Sequence, residues 1–382
     1  MNTKFLILGY FGFHNAGDDA IGYSILKYLS QNNPSADITV SAKNSYFEKI
    51  SYPFFEMDGG IRTCGFSLFS VLSEIKKVDC VLYGGGTHFH DDDQYYFNQL
   101  KTYLFFLLVS YFCSLAKKKL IFLGHGLGPI NKPLSKFFLK LIFRKTKSIS
   151  VRDHDSYEIV ESLGFKEKCF LGFDCTGLLL EDIKKLNSDA NKQKKKKIIG
   201  ISCLPAYSEY MKNPSKDKEM IKDIVESIKP ILKNRKMMEI KFFSFNNGQK
   251  SSDKNLIINL KDQLKEFSDK LEIVEYNSNI TSLLSEISNC DAFLGMKYHS
   301  ILFAYLFNKP LIVVGYLGKC NSLAKSIKLP DHAFLSLEEV HSTKFCKTIQ
   351  DFLNDSSKYR SVLPQKEALK LTKDMFRQVA EV

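Results

Sequence analysis

Residues 5–20 read FLILGYFGFHNAGDDA, and the order of residue types in this stretch decides the fold. Four consecutive apolar residues with no polar alternation describe a strand buried on both faces. Glycines follow at positions 9, 12 and 17, then Asp18 and Asp19 ahead of an apolar-periodic run to residue 29, which is the pattern of a helix start. Strand, glycine turn and helix make one βα unit, and the backbone N–H groups of such a turn can face an anion or a sugar hydroxyl. The spacing differs from the dinucleotide G-x-G-x-x-G. No Lys-Ser/Thr follows, so the turn is not a P-loop either. Asp18 and Asp19 read either as ligand-facing carboxylates or as helix caps.

The same alternation recurs along the chain. Strands are expected at 5–10, 38–42, 80–83, 120–123, 148–151 and 169–172, with helices at 18–29, 95–115 and 154–163. Residues 181–197, EDIKKLNSDANKQKKKK, break the pattern and read as a linker. Strands resume at 198–202, 239–245, 271–276, 292–296 and 311–315. Helices fall at about 217–235, 253–268, 279–289, 299–307 and 319–327, with a last one from about 367. The expectation is an α/β protein with two Rossmann-like doubly wound domains. They cover 1–180 and 198–345, and a helical segment, 346–382, packs back toward the first. Ligands of open parallel sheets bind beyond the carboxyl ends of the strands, so those ends hold the candidates.

Composition narrows the partners. The 382 residues carry a net charge of +12 and a pI near 9.0, which favours anions. No zinc finger, RNP-like aromatic motif or helix-turn-helix signature accompanies the charge, so no nucleic-acid partner is expected. Nine cysteines, an odd number without a C-x-x-C pair, argue against a disulfide framework or a zinc site and for a reducing cytoplasm. The amino terminus runs directly into a strand without the features of a secretory signal. Residues 103–115 are too short to span a bilayer. They read as a buried core helix or, with Lys117, Lys118 and Lys119 behind them, as an interfacial helix on an anionic surface.

Several strand ends carry chemistry. Gly84, Gly85 and Gly86 precede Thr87, His88 and His90, and a glycine run at a strand end implies a close backbone approach. His88, His90, Asp91, Asp92 and Asp93 lack metal-ligand spacing, and no metal is expected. A third glycine turn is Gly124-His125-Gly126-Leu127-Gly128-Pro129. Arg152 follows the 148–151 strand. It offers a planar fork for phosphate or carboxylate, or an ordinary salt bridge with Asp153 or Asp174. Lys297 and His299 follow the 292–296 strand two residues apart and project to one side of extended chain; His299 reads otherwise as a helix cap or packing group. Tyr316 and Lys319 follow the next strand. A cation beside a titratable group suits a phosphorylated ligand.

Together these motifs resemble the polysaccharide pyruvyl transferases. The carrying residues are Gly12-x-x-Asn15-x-Gly17-Asp18, Gly84–Gly86, Gly124-x-Gly126-x-Gly128-Pro129, Val151-Arg152-Asp153 with Ser156, Met296-Lys297-Tyr298-His299, and Tyr316-x-x-Lys319. The resemblance runs from residue 5 to about 325. It implies two Rossmann-like domains arranged as in GT-B glycosyltransferases around a cleft. It implies phosphoenolpyruvate as co-substrate, no cofactor, and a sugar acceptor, free or carried on a polyprenyl diphosphate, that becomes a pyruvate ketal as phosphate leaves. Arg152, Lys297, His299 and Lys319 map to donor binding, with Lys297 where the family carries arginine. His299 and Asp18 map to proton transfer. Asn15, Gly17, Asp18, Gly86 and His88 map to the acceptor, and residues 51–65 and 203–217 to loops that choose it. The alternatives are a GT-B glycosyltransferase using a nucleotide sugar and a non-catalytic phosphosugar-binding protein. A cytoplasmic location at the inner face of the membrane is expected.

Overall fold

The computed structural model describes residues 2–43, 47, 60–91, 96–189, 196–235, 237–248 and 253–380. They divide into two units. The first comprises Met1–Phe13, Asp18–Leu179 and Lys366–Val382, and the second His14–Gly17 and Leu180–Gln365.

The first unit is a seven-stranded, wholly parallel sheet. Its strands are β1 (Lys4–Phe11), β2 (Asp37–Ala42), β3 (Ile61–Cys64), β4 (Cys80–Phe89), β5 (Lys119–Leu127), β6 (Ser148–Val151) and β7 (Cys169–Leu171). The helices between them are α1 (Ala16–Asn32), α2 (Leu68–Ile75), α3 (Tyr96–Leu115), α4 (Pro133–Lys145) and α5 (His154–Ser162). Spatial order is β3-β2-β1-β4-β5-β6-β7, so the order reverses between β1 and β4. One face buries Leu6, Val81, Tyr83, Phe106, Phe122 and Phe143 in a single cluster. Burying each such side chain stabilises the fold by about 1.5–3 kcal/mol, which is why the strands read as unbroken apolar runs.

The second unit is a six-stranded parallel sheet of order β10-β9-β8-β11-β12-β13, reversing between β8 and β11. Its strands are β8 (Lys197–Ser202), β9 (Met238–Ser244), β10 (Leu271–Glu275), β11 (Ala292–Gly295), β12 (Leu311–Gly315) and β13 (Phe334–Ser336). The helices up to β11 are α6 (Leu180–Asp189), α7 (Ala206–Met211), α8 (Pro214–Asn234), α9 (Lys254–Gln263) and α10 (Ile280–Ser288). Those after it are α11 (Tyr298–Leu306), α12 (Gly318–Ser326) and α13 (Thr343–Asn354), while the last helix of the chain, α14 (Gln365–Ala380), belongs from Lys366 on to the first unit.

Four sequence expectations change. The stretch expected as a linker opens as helix α6, because Leu180 and Ile183 bury an apolar face; residues 190–195 lie outside the described set. Gly84–Gly86 and Gly124–Gly126 are not turns but lie inside β4 and β5, which pair with each other through Gly84↔Leu123 and Gly86↔His125. Of the two expected acceptor loops, 61–64 is strand β3 and 206–211 is helix α7, while 51–59 lie outside the described residues. The carboxyl-terminal segment joins the first unit from Lys366, not from 346, because α13 buries Phe345, Ile349 and Phe352 in the second.

Candidate functional site

In the second unit, the carboxyl ends of β9, β11 and β12 frame a pocket of about 120 Å³. It is lined by Lys297, His299 and Lys319, with Glu209, Tyr210 and Tyr316. Local sequence explains the placement. Lys297 is the residue before α11, its backbone extended at φ −76° and ψ 141°, and Leu317 holds the same place before α12. Neither helix receives a hydrogen bond from a capping side chain. Their first-turn N–H groups and the positive ends of their dipoles therefore border the pocket, which favours an anion.

The charges are organised by a residue that sequence reading missed. Asp253 is fully buried; its Oδ2 accepts from the backbone N–H of Phe245 at 3.0 Å and of Asn246 at 3.1 Å. Its Oδ1 lies 2.8 Å from Lys297 Nζ. The ammonium is thus held in one place rather than sweeping a surface, with its charge partly answered by the carboxylate. In sequence Asp253 looks like an ordinary helix-start aspartate, with no spacing that ties it to Lys297. Tyr210 and Tyr316 lie with ring centroids 5.1 Å apart, and burial pushes both phenols well above their usual pKa. Both stay protonated donors at neutral pH.

His14–Gly17 belongs to this unit through an antiparallel bridge from Asn15 to Asn246 and a 2.9 Å bond from Ala16 N to Phe245 O. Gly17 backs directly onto the imidazole of His299: a Cβ there would sit 1.9 Å from Nδ1. Gly17 is glycine because His299 occupies the space a side chain needs. Asn15 Oδ1 accepts from Gly17 N at 3.1 Å and so caps α1. These two residues, expected on the acceptor side, position His299 and start a helix.

In the first unit, the β1 and β4 ends frame a cavity of about 300 Å³ lined by Tyr10, Phe66, Tyr83, His88, Lys101 and Phe105, among others. His88 contributes a ring held neutral. Burial first, then the charge of Arg152 and then His90, lower its pKa to about 4. Its Nδ1 is out of solvent reach and has no hydrogen-bond partner among the described residues. His125 lies behind it, ring centroids 6.1 Å apart, with Nε2 3.0 Å from the carbonyl oxygen of Tyr83 and its pKa well below the usual value through burial. Asp18 is half-buried in the same unit, and its charge adds to burial in raising the pKa of Tyr10 and Tyr83. Asp19 accepts from Gly12 N at 2.7 Å and shapes the turn. Gly86 lies in β4, just before the bulge that separates it from Phe89.

Arg152, expected in donor binding or in a salt bridge with Asp153 or Asp174, makes the salt bridge in this structure. Its Nη1 lies 3.0 Å from Asp174 Oδ2, its Nη2 donates to Thr87 Oγ1 at 2.8 Å, and its Nε is 3.8 Å from Asp153. Gly126 lets the guanidinium in, for a Cβ there would lie 2.8 Å from Nε and Nη2. At 3% exposure the arginine is the centre of a buried ion-pair network, the salt-bridge reading of its motif. The expected site residues therefore fall into two sets. Lys297, His299, Lys319, Asn15 and Gly17 belong to the second unit, and Arg152, Asp18, Gly86 and His88 to the first. Among the described residues no cluster of three metal-ligating side chains occurs, and Asp92 and Asp93 lie outside them.

Two parallel sheets with strand ends prepared for anions define a GT-B-like α/β fold, and solved structures agree. The UDP-GlcNAc 2-epimerase of Methanocaldococcus jannaschii superposes with a TM-score of 0.61 at 14% identity, covering 98% of this chain and 100% of its own. The Neisseria meningitidis UDP-GlcNAc 2-epimerase gives 0.62 at 15% identity, with full coverage of both chains. HepE of Anabaena, solved with UDP and glucose, gives 0.57 at 12%, covering 99% and 98%. These likenesses concern the fold alone. The particular family is set by sequence: the polysaccharide pyruvyl transferase profile matches residues 15–318, and the chain belongs to that family. AmsJ, an amylovoran biosynthesis protein of Erwinia amylovora, is 23% identical over 273 residues, 68% of this chain and 62% of its own length. The chain thus matches somewhat under two thirds of that relative.

Proposed function

We propose that the protein transfers the pyruvyl group of phosphoenolpyruvate to a sugar of a surface polysaccharide or of its lipid-linked precursor, forming a pyruvate ketal and releasing phosphate. The observation that carries this reading is the second unit's pocket, where Lys297, His299 and Lys319 meet the uncapped starts of α11 and α12. Phosphoenolpyruvate bears roughly three negative charges near neutral pH. Glu209 and Asp253 nearly balance the two lysines, so directed N–H groups and helix dipoles carry more of the binding than net charge does. A lysine at 297 holds phosphate or carboxylate as a point charge, without the bidentate fork an arginine offers.

In the reaction, C3 of phosphoenolpyruvate gains a proton and C2 becomes oxocarbenium-like. A sugar hydroxyl adds to C2 and loses its proton, the C2–O bond to phosphate breaks, and a neighbouring hydroxyl closes the ketal on C2 as its proton passes to the departing phosphate. His299 is assigned as the acid, since an imidazole suits proton transfer near neutral pH. Asp18 is assigned as the base for the attacking hydroxyl. The aromatic walls of the first unit's cavity, with neutral His88, suit a sugar ring. No metal or cofactor is assigned a role.

The test is phosphate release from phosphoenolpyruvate with free and polyprenyl-linked sugars offered in parallel. His299→Ala should lower kcat by 10²–10⁴-fold, as for other acid–base groups. Lys297→Ala should act mainly on KM for phosphoenolpyruvate. Thermal stabilisation by UDP but not by phosphoenolpyruvate would instead make the protein a nucleotide-sugar enzyme.

A further inference from the structure

Helix α3 turns an apolar stripe outward. Its exposed positions include Phe97, Lys101, Leu104, Leu108, Tyr111 and Leu115, spaced by alternating fours and threes, and five of these six are apolar. Phe97 is 83% and Leu115 80% exposed. Helix α4, packed beside α3, adds Leu134 and Phe137, also exposed. An outward stripe of this length is the reverse of what a soluble helix needs, since its inner side already buries Tyr103, Phe106 and Val109 in the core.

Charge says what covers it. From residue 94 to residue 151 the sequence holds ten lysines and arginines and no aspartate or glutamate, against a net charge of +12 for the whole chain. Helix α4 places Lys136, Lys140 and Arg144 in exposed positions. Lys145 reaches to 5.0 Å from the ring of Tyr111, and Lys132 to 3.6 Å from that of Tyr96. Asp91 is turned inward, its carboxylate accepting from Asn131 N, Lys132 N and Ser135 Oγ at the start of α4. The exposed aromatic and leucine side chains otherwise lie among cations, which matches the boundary of an anionic bilayer, where rings sit at headgroup level and lysines meet phosphate. A protein partner would call for no such uniform sign. Among the described residues no helix is long and apolar enough to cross a membrane, so the arrangement fits a helix lying on the surface.

We infer that α3 and α4 form a docking surface for an anionic lipid bilayer. Helix α3 lends Thr102, Phe105 and Phe106 to the wall of the first unit's cavity, and Lys101 of the outward stripe lines it too, so docking brings that cavity to within a helix's width of the headgroups. On the proposed pyruvyl-transfer reading, this is where a lipid-linked sugar would be met. The docking does not depend on that reading, and it is measured without donor or acceptor.

The experiment is co-sedimentation of the full chain with vesicles of phosphatidylcholine, alone or with one third phosphatidylglycerol. The chain should pellet with the anionic vesicles, stay in solution with the neutral ones, and dissociate as salt is raised. Removing three exposed charges in Lys136→Gln/Lys140→Gln/Arg144→Gln should lower the partition coefficient roughly 10²-fold. Leu104→Ser/Leu108→Ser/Leu115→Ser should lower it at least about tenfold. Both sets are exposed, and an unchanged circular dichroism melt confirms that they fold. No pelleting with anionic vesicles, or undiminished pelleting of either variant, would overturn the inference. So would a self-associating chain whose leucine variant dissociates while still binding vesicles, because the stripe would then be a protein interface.

Discussion

His299 and Gly17 form one packing unit, and that makes the glycine testable. An alanine at 17 would place its methyl 1.9 Å from His299 Nδ1, so the imidazole has to leave its position. Displacing a proton donor by an ångström costs about 10²-fold in rate. Gly17→Ala should therefore lower kcat for phosphate release by about that factor while leaving KM for phosphoenolpyruvate within a few-fold. A glycine that served only the turn would leave both near their starting values after a small loss of stability. The neighbouring ion pair makes a second case. Asp253→Ala removes the acceptor of two backbone N–H groups and leaves the mostly buried Lys297 without its carboxylate. Breaking such a pair costs about 3–5 kcal/mol, so the variant should melt well below the parent. If its melting temperature is unchanged, Lys297 finds solvent easily and is not a positioned cation.

Strands that bury both faces were legible in the sequence, and so were the edge strands β7 and β10, which keep an apolar run, whereas two short edge strands were missed. β1, β4, β5, β8, β11 and β12 are continuous apolar runs, and each emerges within a few residues of its expected start. The missed strands, β3 and β13, are short edge strands with exposed or half-exposed residues such as Arg62 and Thr63, and carry too little pattern to read. The glycine runs misled for another reason. A backbone ladder needs no side chains, so Gly84–Gly86 extends β4 because β5 runs alongside it. The motif at Lys297 and His299 was readable since both sit at one strand end. Arg152 was ambiguous because its partners Thr87 and Asp174 come from distant points of the chain. That network yields an element-scale prediction. Asp153 Oδ1 caps α5 through Ser156 N at 2.8 Å, and Asp153→Ala should cost about 1–2 kcal/mol in urea unfolding. Asp174→Ala, which strands the buried guanidinium, should cost about 3–5 kcal/mol. Equal losses would mean that the cap, not the ion pair, holds this end of the sheet.

The whole molecule inherits a pH dependence from the first unit's histidine pair. His88, facing Arg152 and His90, titrates near 4 when folded, and burial holds His125, facing His88, Arg152 and the Tyr83 carbonyl, well below the usual imidazole value. Both start from an unfolded value of about 6.5. Above that value both states are neutral, and the pair leaves stability unchanged. Between 6.5 and 4 the unfolded chain binds protons that the folded chain refuses, so stability falls as pH falls. Each histidine contributes a slope of at most about 1.4 kcal/mol per pH unit in this window. Because most carboxylates titrate below about pH 5, the interval from 6.5 to 5 isolates the histidines. Hydrogen exchange of the β4 and β5 amides, compared at pH 7.5, 6 and 5 after correction for intrinsic rates, should show progressively easier opening of the first unit. His88→Gln should remove close to half of that loss while changing the exchange at pH 7.5 little. If exchange in these strands is flat from 7.5 to 5, His88 and His125 take up protons in the folded state. The imidazole in the first unit's cavity would then become charged below about pH 6.5, and the cavity would turn from a neutral site to an anion-favouring one only in that acid range.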